Sequence, residues 1–405
     1  METITHTSNL RIGVGTSKNR DCLQAVHEAV AHAKTNLGKE TADLAIVFAT
    51  TEFSHPIVAR ILSNLLDKTP LIGASSAAVI SNQGVWKNGF VIMLIDFPEE
   101  ILVNHAFVKN LNEKGGMNSG LELAEKLLQG FSGKQRDLSI ILSDGLSKEN
   151  GNLIAGLQEK LGRSFPVVGA SASDYFHFNK TFVYANQEIF NNGACGILFA
   201  GKLNFGLGIK HGWKTLGKPR YITKSIDNIV YEIDSKPAAE TYQQYLGLDL
   251  TRLKKELKRI SIFYPLGITL QGEKECLLRN ITAIGDDGSC ICQGDVPVNS
   301  QVRLMIGTKE SCLEATEQAL NEAKKQLSHC KIHFALIFSS ASRLMLLGRD
   351  ANTELEIARK HLGENTPVIG LYTFGEQAPL TAAGYGGRSY FHNQTFTILG
   401  IGTRN

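Results

Sequence analysis

The chain has 405 residues, of which 43% are hydrophobic, and 42 Lys and Arg against 39 Asp and Glu leave a net charge of +3. This apolar content can bury a substantial core, so we expect a globular protein of two or three domains. The balanced charge and the lack of a basic run with interleaved aromatics argue against a nucleic-acid partner. No stretch reaches the roughly 18 apolar residues of a membrane span and no secretion signal opens the sequence, so we predict a cytoplasmic protein without membrane contact.

The seven cysteines are an odd number and are scattered along the chain. Cys290 and Cys292 are spaced C-x-C, and no second pair lies near them in the sequence. This usage favours neither a disulfide framework nor a zinc site, and we expect buried cysteines that behave as small apolar residues.

The first predicted elements are a strand and a helix in "RIGVGTSKNRDCLQAVHEAV" near the N-terminus, matched by "VRLMIGTKESCLEATEQAL" at 302–320. "GVGTSKN" is similar to a phosphate-binding loop, but it lacks the Gly-Lys-Ser/Thr ending that places a lysine on phosphate and a hydroxyl on magnesium. A plain strand-to-helix turn, capped by Ser17 or Asp21, is therefore favoured over nucleotide binding.

One pattern typical of a buried strand occurs three times, as "TPLIGASSAAVI" at 69–80, "FPVVGASASDYF" at 165–176 and "TPVIGLYTFGEQ" at 366–377. Each copy follows an apolar run and an amphipathic helical stretch, and strand, helix, strand predicts a right-handed crossover with parallel pairing. Strands ending near Phe48, Leu142 and Phe338 should therefore lie parallel to those ending near Gly73, Gly169 and Gly370.

The recurrence predicts an α/β fold of repeated α/β units with mixed, largely parallel sheets in two domains. Residues 1–230 would form an N-terminal domain of two related units. Residues 231–405 would form a C-terminal domain with the third unit.

"GASSA" and "GASAS" resemble part of the G-x-S-x-G turn that exposes the nucleophilic serine of many hydrolases. The second glycine is replaced by Ala77 in the first copy and Ser173 in the second, and the third copy has Tyr372 in place of the serine. No His and Asp can be assigned to a triad by spacing, so a hydrolase is disfavoured.

Five motifs together resemble the FIST family over nearly the whole chain, from about residue 20 onward. In chain order they are "GASASDYFHFNKTF", "YEIDSKPA", "YPLG", "LIFSSASR" and "GLYTFGEQAP". Ser173 and Ser235 stand where the family usually has glycine, which puts the shape of two turns in question. The resemblance implies an N-terminal and a C-terminal FIST domain in a sensory module for small ligands.

Two kinds of ligand follow from the resemblance. Amino-acid-like ligands were proposed for the family generally, whereas one bacterial branch with a similar stand-alone layout binds haem and senses nitric oxide. The resemblance to that branch implies haem b as a cofactor, and a histidine kinase or a cyclic-di-GMP enzyme as the signalling partner.

Candidate ligand-binding residues lie at the carboxyl ends of the predicted strands, where ligands collect in parallel sheets. These residues are Asp144, Asp174, Arg343, Tyr372 and Glu376. Arg343 suits a carboxylate, including a haem propionate, because its guanidinium is a planar two-pronged donor. A structural ion pair between Arg343 and Glu376 is the alternative.

Three of the eleven histidines are candidate ligands of haem iron. A strand with period two through "YFHFNKTF" would place His177 on the face of Tyr175, opposite Phe176 and Phe178. His177 is the first candidate for the axial ligand, followed by His392 in "YFHNQTF" and by His211. No histidine spacing indicates haem without the resemblance.

The leading hypothesis is a non-catalytic intracellular sensor that binds a small ligand, either haem with nitric oxide or an amino-acid-like carboxylate, and signals to a separate partner. The first alternative is an enzyme acting on a small carboxylate substrate in the pocket at the strand ends. The second is a scaffold without a ligand. An enzyme would show a perturbed acid/base pair in the cleft, and a scaffold a large exposed apolar patch.

Overall fold

A computed structural model describes residues 10–270, 275–380 and 387–404. The first unit contains β1 (Arg11–Ser17), α1 (Cys22–Leu37), β2 (Leu44–Thr50), α2 (His55–Leu66), β3 (Leu71–Ser76), β4 (Val79–Ser81), β5 (Gly84–Trp86) and β6 (Phe90–Asp96). The second contains β7 (Leu102–Lys109), α3 (Leu111–Lys114), α4 (Gly116–Leu128), β8 (Arg136–Ser143), α5 (Asn150–Leu161), β9 (Val167–Ser171), β10 (Val183–Ala185), β11 (Glu188–Phe190) and β12 (Gly193–Ala200).

The third unit begins with β13 (Asn204–Lys210) and is interrupted by an inserted domain. The inserted domain contains β14 (Lys214–Ile226), β15 (Ile229–Ile233), β16 (Lys236–Pro237), α6 (Ala238–Leu246), α7 (Leu250–Lys255), α8 (Leu257–Phe263), β17 (Leu266–Thr269), β18 (Cys276–Arg279), β19 (Ile281–Ile284), β20 (Cys290–Cys292) and β21 (Gln301–Ile306). The unit resumes with α9 (Lys309–Gln326), β22 (Cys330–Ser340), α10 (Ala341–Leu347), a short 3₁₀ turn (Gly348–Asp350), α11 (Ala351–Leu362), β23 (Val368–Thr373), β24 (Gly375–Pro379), β25 (Ser389–His392) and β26 (Phe396–Arg404).

Each unit builds a six-stranded sheet, and each sheet is completed by a hairpin from another unit. The strand orders are β1-β6-β2-β3-β10-β11, β25-β24-β9-β8-β12-β7 and β13-β26-β22-β23-β4-β5. The hairpin β4-β5 of the first unit joins the third sheet, β10-β11 of the second joins the first sheet, and β24-β25 of the third joins the second. This cyclic exchange closes the three units into one body.

The parallel pairs are those that the recurring strand predicts. They are β2 with β3, β8 with β9 and β22 with β23. Among the described strand pairs these three are parallel and the others antiparallel, because the remaining connections are hairpins or returns from neighbouring units. The prediction of repeated α/β units with mixed sheets in two domains is confirmed, but the sheets are not largely parallel as predicted, because parallel pairing among the described strands is confined to these three pairs.

The glycine of each returning strand is required by close contact with the neighbouring strand. The three register pairs are Val47 with Gly73, Ile141 with Gly169, and Ile337 with Gly370. A Cβ on these glycines would lie between 1.8 and 2.4 Å from the carbonyl oxygen of the paired residue. Any larger residue would therefore push the two central strands apart.

The inner faces of the three sheets share one hydrophobic core, and helices cover their outer faces. Phe48, Leu142 and Phe338 all belong to the shared core. Separate clusters pack α1 and α2 on the first sheet, α4 and α5 on the second, and α9 to α11 on the third. The inserted domain has a core of its own around its eight-stranded sheet.

The N-terminal match at 302–320 is correct for the helix but not for the strand of the third sheet. That sheet takes β13 as its edge, while β21 belongs to the inserted domain. A Cβ on Gly15 would lie 1.8 Å from the carbonyl oxygen of Ala29 in α1, and a Cβ on Gly208 would lie 1.8 Å from that of Ala319 in α9. The G-x-G pattern in "GVGT" thus lets a helix approach its strand, and Asp21 caps α1 by accepting from the backbone N–H of Gln24 at 2.8 Å.

Candidate functional site

Arg343 lies in a closed polar cluster in which each of its three side-chain nitrogens donates a hydrogen bond. Its Nε and one terminal nitrogen donate to Oε1 of Glu354 at 2.8 and 2.6 Å, and the other terminal nitrogen donates to the carbonyl of His211 at 2.8 Å. Tyr372 donates its hydroxyl to the second oxygen of Glu354 at 2.9 Å. Arg343 and Tyr372 have no solvent exposure, so these two predicted ligand contacts meet inside the third unit.

The predicted ion pair between Arg343 and Glu376 is wrong, because the partner of Arg343 is Glu354. Sequence reasoning missed Glu354, because no motif marks it; it meets Arg343 and Tyr372 only because α11 packs against α9 in the fold. Glu376 lies on β24 with no exposure, where Oε2 accepts from the backbone N–H and the hydroxyl of Thr395 at 3.0 and 2.7 Å. Its Oε1 has no hydrogen-bond partner among the described residues, and burial raises the pKa of Glu376 to about 8.

Asp144 and Asp174 organise two loops at the strand ends. Asp144 accepts from the backbone N–H of Leu146 at 2.9 Å and from the hydroxyl of Thr181 at 2.5 Å. Both oxygens of Asp174 accept from four consecutive backbone N–H groups of residues 177–180, at 2.8 to 3.3 Å. Both carboxylates are buried and shape the 172–182 segment from within.

The strand predicted through "YFHFNKTF" is wrong, because residues 172–182 form a loop held by Asp174. Phe176 and Phe178 adopt positive φ values of 60° and 50°, which are rare for bulky residues and are sustained here by the bonds to Asp174. The side chain of His177 is exposed in this loop. Phe178 stacks on Phe374, with ring centroids 4.6 Å apart and an angle of 14° between the ring planes.

A cleft of about 500 Å³ lies between this loop and the inserted domain. Its apolar walls come from Phe176, Phe178, Leu257, Ile262 and Ile281. Because the loop follows β9 and Ser342 follows β22, two of the strand ends expected to carry a ligand border this cleft. The volume lies within the usual range of small-molecule sites.

Polar groups form the floor of the cleft. Asn280, Gln293 and Ser342 line it, and the side-chain amide of Asn280 donates to both of the others at 3.4 Å. Behind them, Gln394 donates to the side-chain oxygen of Asn280 and to the carbonyl of Ser261. The floor therefore joins the inserted domain to the loop that precedes β26.

The rim of the cleft is cationic. Lys254, Lys255 and Lys258 line it and are the charged residues among the described lining residues. Lys254 pairs at 2.6 Å with Asp286, which is fully exposed. The Nζ of Lys258 lies 5.3 Å from the ring centroid of Phe176, in the position of a cation–π contact. This arrangement suits an anionic ligand with an apolar part.

Other clefts lie where the exchanged hairpins join their sheets. One of about 420 Å³ is lined by the end of α2, residues 66–71 and the turn of the β10-β11 hairpin. A second borders the turn of β4-β5 and residues 365–367. Both lie beside the N-terminal ends of the parallel strands, away from the loops where ligands of α/β sheets collect.

None of the three candidate histidines lines the cleft beside the 172–182 loop. His177 is exposed and is not part of the cleft lining, and the ring of His392 is buried with Nε2 2.9 Å from the carbonyl oxygen of Ala378. Nδ1 of His211 accepts from the backbone N–H of Trp213 at 2.9 Å. Burial lowers the pKa of His392 to about 3 and that of His211 to about 4. Within the described ranges no group of three His, Cys, Asp or Glu is placed to hold a metal ion.

The serines of "GASSA" and "GASAS" tie the three units together where the returning strands meet. Ser75 donates to the carbonyl of Ser173 at 3.0 Å, and Ser76 donates to the carbonyl of Tyr372 at 3.0 Å. Ser173 in turn donates to the carbonyl of Tyr372. The serines of the motif that resembles a nucleophile turn therefore form a cluster of hydroxyl groups where the three units meet.

Ser235, which stands where the family usually has glycine, adopts a backbone conformation that glycine favours. Asp234 and Ser235 have φ values of 51° and 61° between β15 and β16. The serine thus occupies the left-handed region, where glycine is less strained.

Comparisons with known proteins cover most of the chain. The model of the FIST N domain matches residues 43–236, and that of the FIST C domain matches residues 238–379. An uncharacterized protein of Mycobacterium tuberculosis is 21% identical over 383 residues, 92% of this chain and 95% of its own length. An uncharacterized protein of Methanocaldococcus jannaschii is 24% identical over 253 residues, 58% of this chain and 48% of its own length.

Proposed function

The chain belongs to the FIST family, and we propose that it is a non-catalytic sensor that binds a small carboxylate ligand in the cleft between the 172–182 loop and the inserted domain. FIST domains are sensory domains that bind small ligands in signalling proteins. The observation that carries the proposal is the cationic rim of Lys254, Lys255 and Lys258 above an amide floor. An amino-acid-like carboxylate matches both surfaces, since its carboxylate pairs with lysine and its polar groups meet amides.

The position of the cleft supports a signalling role. Its two walls come from different parts of the fold. Phe176 and Phe178 belong to the second unit, and the three lysines belong to α7 and α8 of the inserted domain. A ligand that contacts both walls favours one relative placement of the inserted domain, and a partner protein can read that placement. A histidine kinase or a cyclic-di-GMP enzyme as this partner stays a prediction of the family resemblance.

No helix of the described ranges combines the length and the apolar character needed to cross a membrane.

The experiment is a thermal-shift screen of amino acids and short monocarboxylates, followed by calorimetric titration of each ligand that raises Tm. Lys258→Gln should weaken binding by about tenfold or more, because it removes a charged hydrogen bond. Arg259→Gln is the matched control, since it removes the same charge at the next position, outside the cleft lining. Equal affinities of the two variants would contradict the proposed site.

Haem binding has a separate readout. The carboxylate proposal predicts no Soret band characteristic of histidine ligation when the purified protein is mixed with haem b, since the candidate histidines lie outside the cleft lining. A histidine-ligated spectrum that His177→Ala abolishes would instead assign the haem branch and reject the carboxylate ligand. His392→Ala is the second variant for that spectrum.

A further inference from the structure

Phe178 is an exposed aromatic ring at the mouth of the cleft. The residue is 49% exposed, although its ring stacks face to face on Phe374. The loop holds it there at positive φ through the hydrogen bonds to Asp174. An apolar ring placed in water by a strained backbone is an unfavourable arrangement for folding alone, and such strain is concentrated at functional sites.

The neighbouring surfaces extend this aromatic wall. Phe176 meets Phe178 and Phe374 edge to face, with centroids 6.2 Å apart in both pairs. Across the cleft lie the buried side chains of Ile262 and Ile281. The apolar part of a ligand would therefore sit against an aromatic face on one side and branched aliphatic groups on the other.

The cationic groups lie on the same rim as the aromatic wall. Lys258 holds its Nζ 3.4 Å from the carbonyl oxygen of Phe176 as well as above the ring of that residue. An anionic group bound by Lys258 would thus stand next to the aromatic wall. A ligand that fills both features carries its carboxylate on a short linker attached to a flat ring.

We propose that the ligand class of this cleft is an aromatic carboxylate, whose ring continues the Phe178–Phe374 stack while its carboxylate contacts Lys258. This inference rests on the proposed function, and it specifies that the carboxylate ligand also carries an aromatic ring. Offset stacking on Phe178 selects a planar ring over a saturated one of similar size, because aromatic pairs gain energy beyond the area that they bury.

The test compares three probes by calorimetric titration: 3-phenylpropionate, 3-cyclohexylpropionate and 3-phenylpropionamide. The first two share charge and chain length and differ in the ring, whereas the third keeps the ring and removes the charge. Wild type should bind the phenyl acid about fivefold to tenfold more tightly than the cyclohexyl acid. Phe178→Leu should remove this preference and retain carboxylate binding, because leucine keeps an apolar side chain without an aromatic face.

The possible results separate the two claims. Equal or tighter binding of the cyclohexyl acid would overturn the aromatic class and leave the carboxylate cleft intact. Equal binding of the amide and the phenyl acid would overturn the carboxylate cleft and with it the proposed class. Phe178→Leu with an unchanged phenyl preference would show that the ring lies elsewhere, and would also overturn the inference. Circular dichroism and Tm of the variant verify that it is folded.

Discussion

Two charged regions adjoin at Arg343 and Ser342, one inside the third unit and one on the rim of the cleft beside the inserted domain, and they differ in how their cations are matched. Arg343 is fully buried, and Glu354 neutralises it within a set of hydrogen bonds that uses every nitrogen of its side chain. Ser342, the preceding residue, lines a cleft whose rim carries three lysines, of which Lys254 pairs with the exposed Asp286, whereas Lys255 and Lys258 form no ion pair among the described residues. A buried cation is tolerated only with a matched partner, whereas a cation on an open rim keeps its hydration until an anion arrives. The first region therefore stabilises the fold, and the second is available to a ligand.

The largest expected effect comes from breaking the closed region. Arg343→Ala leaves the Glu354 carboxylate buried without its cation, so the free energy of unfolding should fall by about 3 to 5 kcal/mol. Denaturant unfolding measures the loss. Arg259→Ala, which removes an exposed arginine of α8, is the control and should change stability little. A loss of less than about 1 kcal/mol in Arg343→Ala would refute the structural role of this cluster.

Glu376 is a buried carboxylate with no cationic partner among the described ion pairs, and its contribution to stability depends on pH. Its pKa is about 8 in the folded protein because of burial, against 4.5 for an exposed glutamate. Between these values the folded state holds a proton that the unfolded state has released, so this contribution to stability is complete below pH 4.5 and is lost as pH rises through 8.

Glu376→Gln should therefore gain stability relative to wild type as pH rises from 5 to 8, on the order of 1 to 3 kcal/mol. Unfolding curves of both proteins at several pH values measure the difference. His392, which is paired across the strands with Glu376, is present in both proteins, so its own titration largely cancels. A stability difference that does not change with pH would contradict the buried, protonated state of Glu376.

The conformation of the 172–182 loop, which forms one wall of the cleft, depends on Asp174. Asp174→Asn replaces one acceptor oxygen by a donor that faces backbone N–H groups, so we expect a loss of about 1 to 3 kcal/mol in unfolding free energy. Carboxylate affinity should fall as well, because Phe176 and Phe178 lose the support of their backbone conformation. His177→Ala keeps the backbone donors of the loop and should change neither quantity; if it matched Asp174→Asn, the loop would owe its shape to another contact.

The smallest effect on stability belongs to the open region. Lys258→Gln should change the unfolding free energy by no more than about 1 kcal/mol, because its exposed side chain makes only a long hydrogen bond and a cation–π contact with Phe176 and forms no ion pair among the described residues. Chemical denaturation without ligand provides the value. A large loss would mean that Lys258 supports the fold, and the contrast with Arg343 would disappear.

The three repeated units could be predicted because their strands and helices follow short-range sequence patterns. Pro, an apolar run and Gly identified the parallel partners of all three units, and the register pairs of Gly73, Gly169 and Gly370 are equivalent. The hairpin exchange could not be predicted, since a hairpin such as β4-β5 has the same local pattern whichever sheet it completes. The same holds for the interruption of the third unit after β13, because the continuation in α9 is almost a hundred residues away.

The site was harder to predict because its residues share no local pattern. The strand-end rule selected the loops of Asp174 and Arg343, and both adjoin the cleft. The lysines of α7 and α8 were missed, since "LTRLKKELKR" is also typical of an ordinary solvated helix face. The prediction of a strand at His177 was wrong. The carboxylate of Asp174 accepts four backbone hydrogen bonds and so stabilises a loop, although the alternating residues are typical of a strand.

Hydrogen–deuterium exchange with mass spectrometry shows where the ligand binds. The protein is compared with and without saturating 3-phenylpropionate. We expect slower exchange in residues 174–182 and in α7 and α8, the two walls of the cleft, with little change elsewhere. Protection of residues 62–71 and 185–188, which line the cleft at the first hairpin junction, would contradict it, and so would an exchange pattern that the carboxylate leaves unchanged.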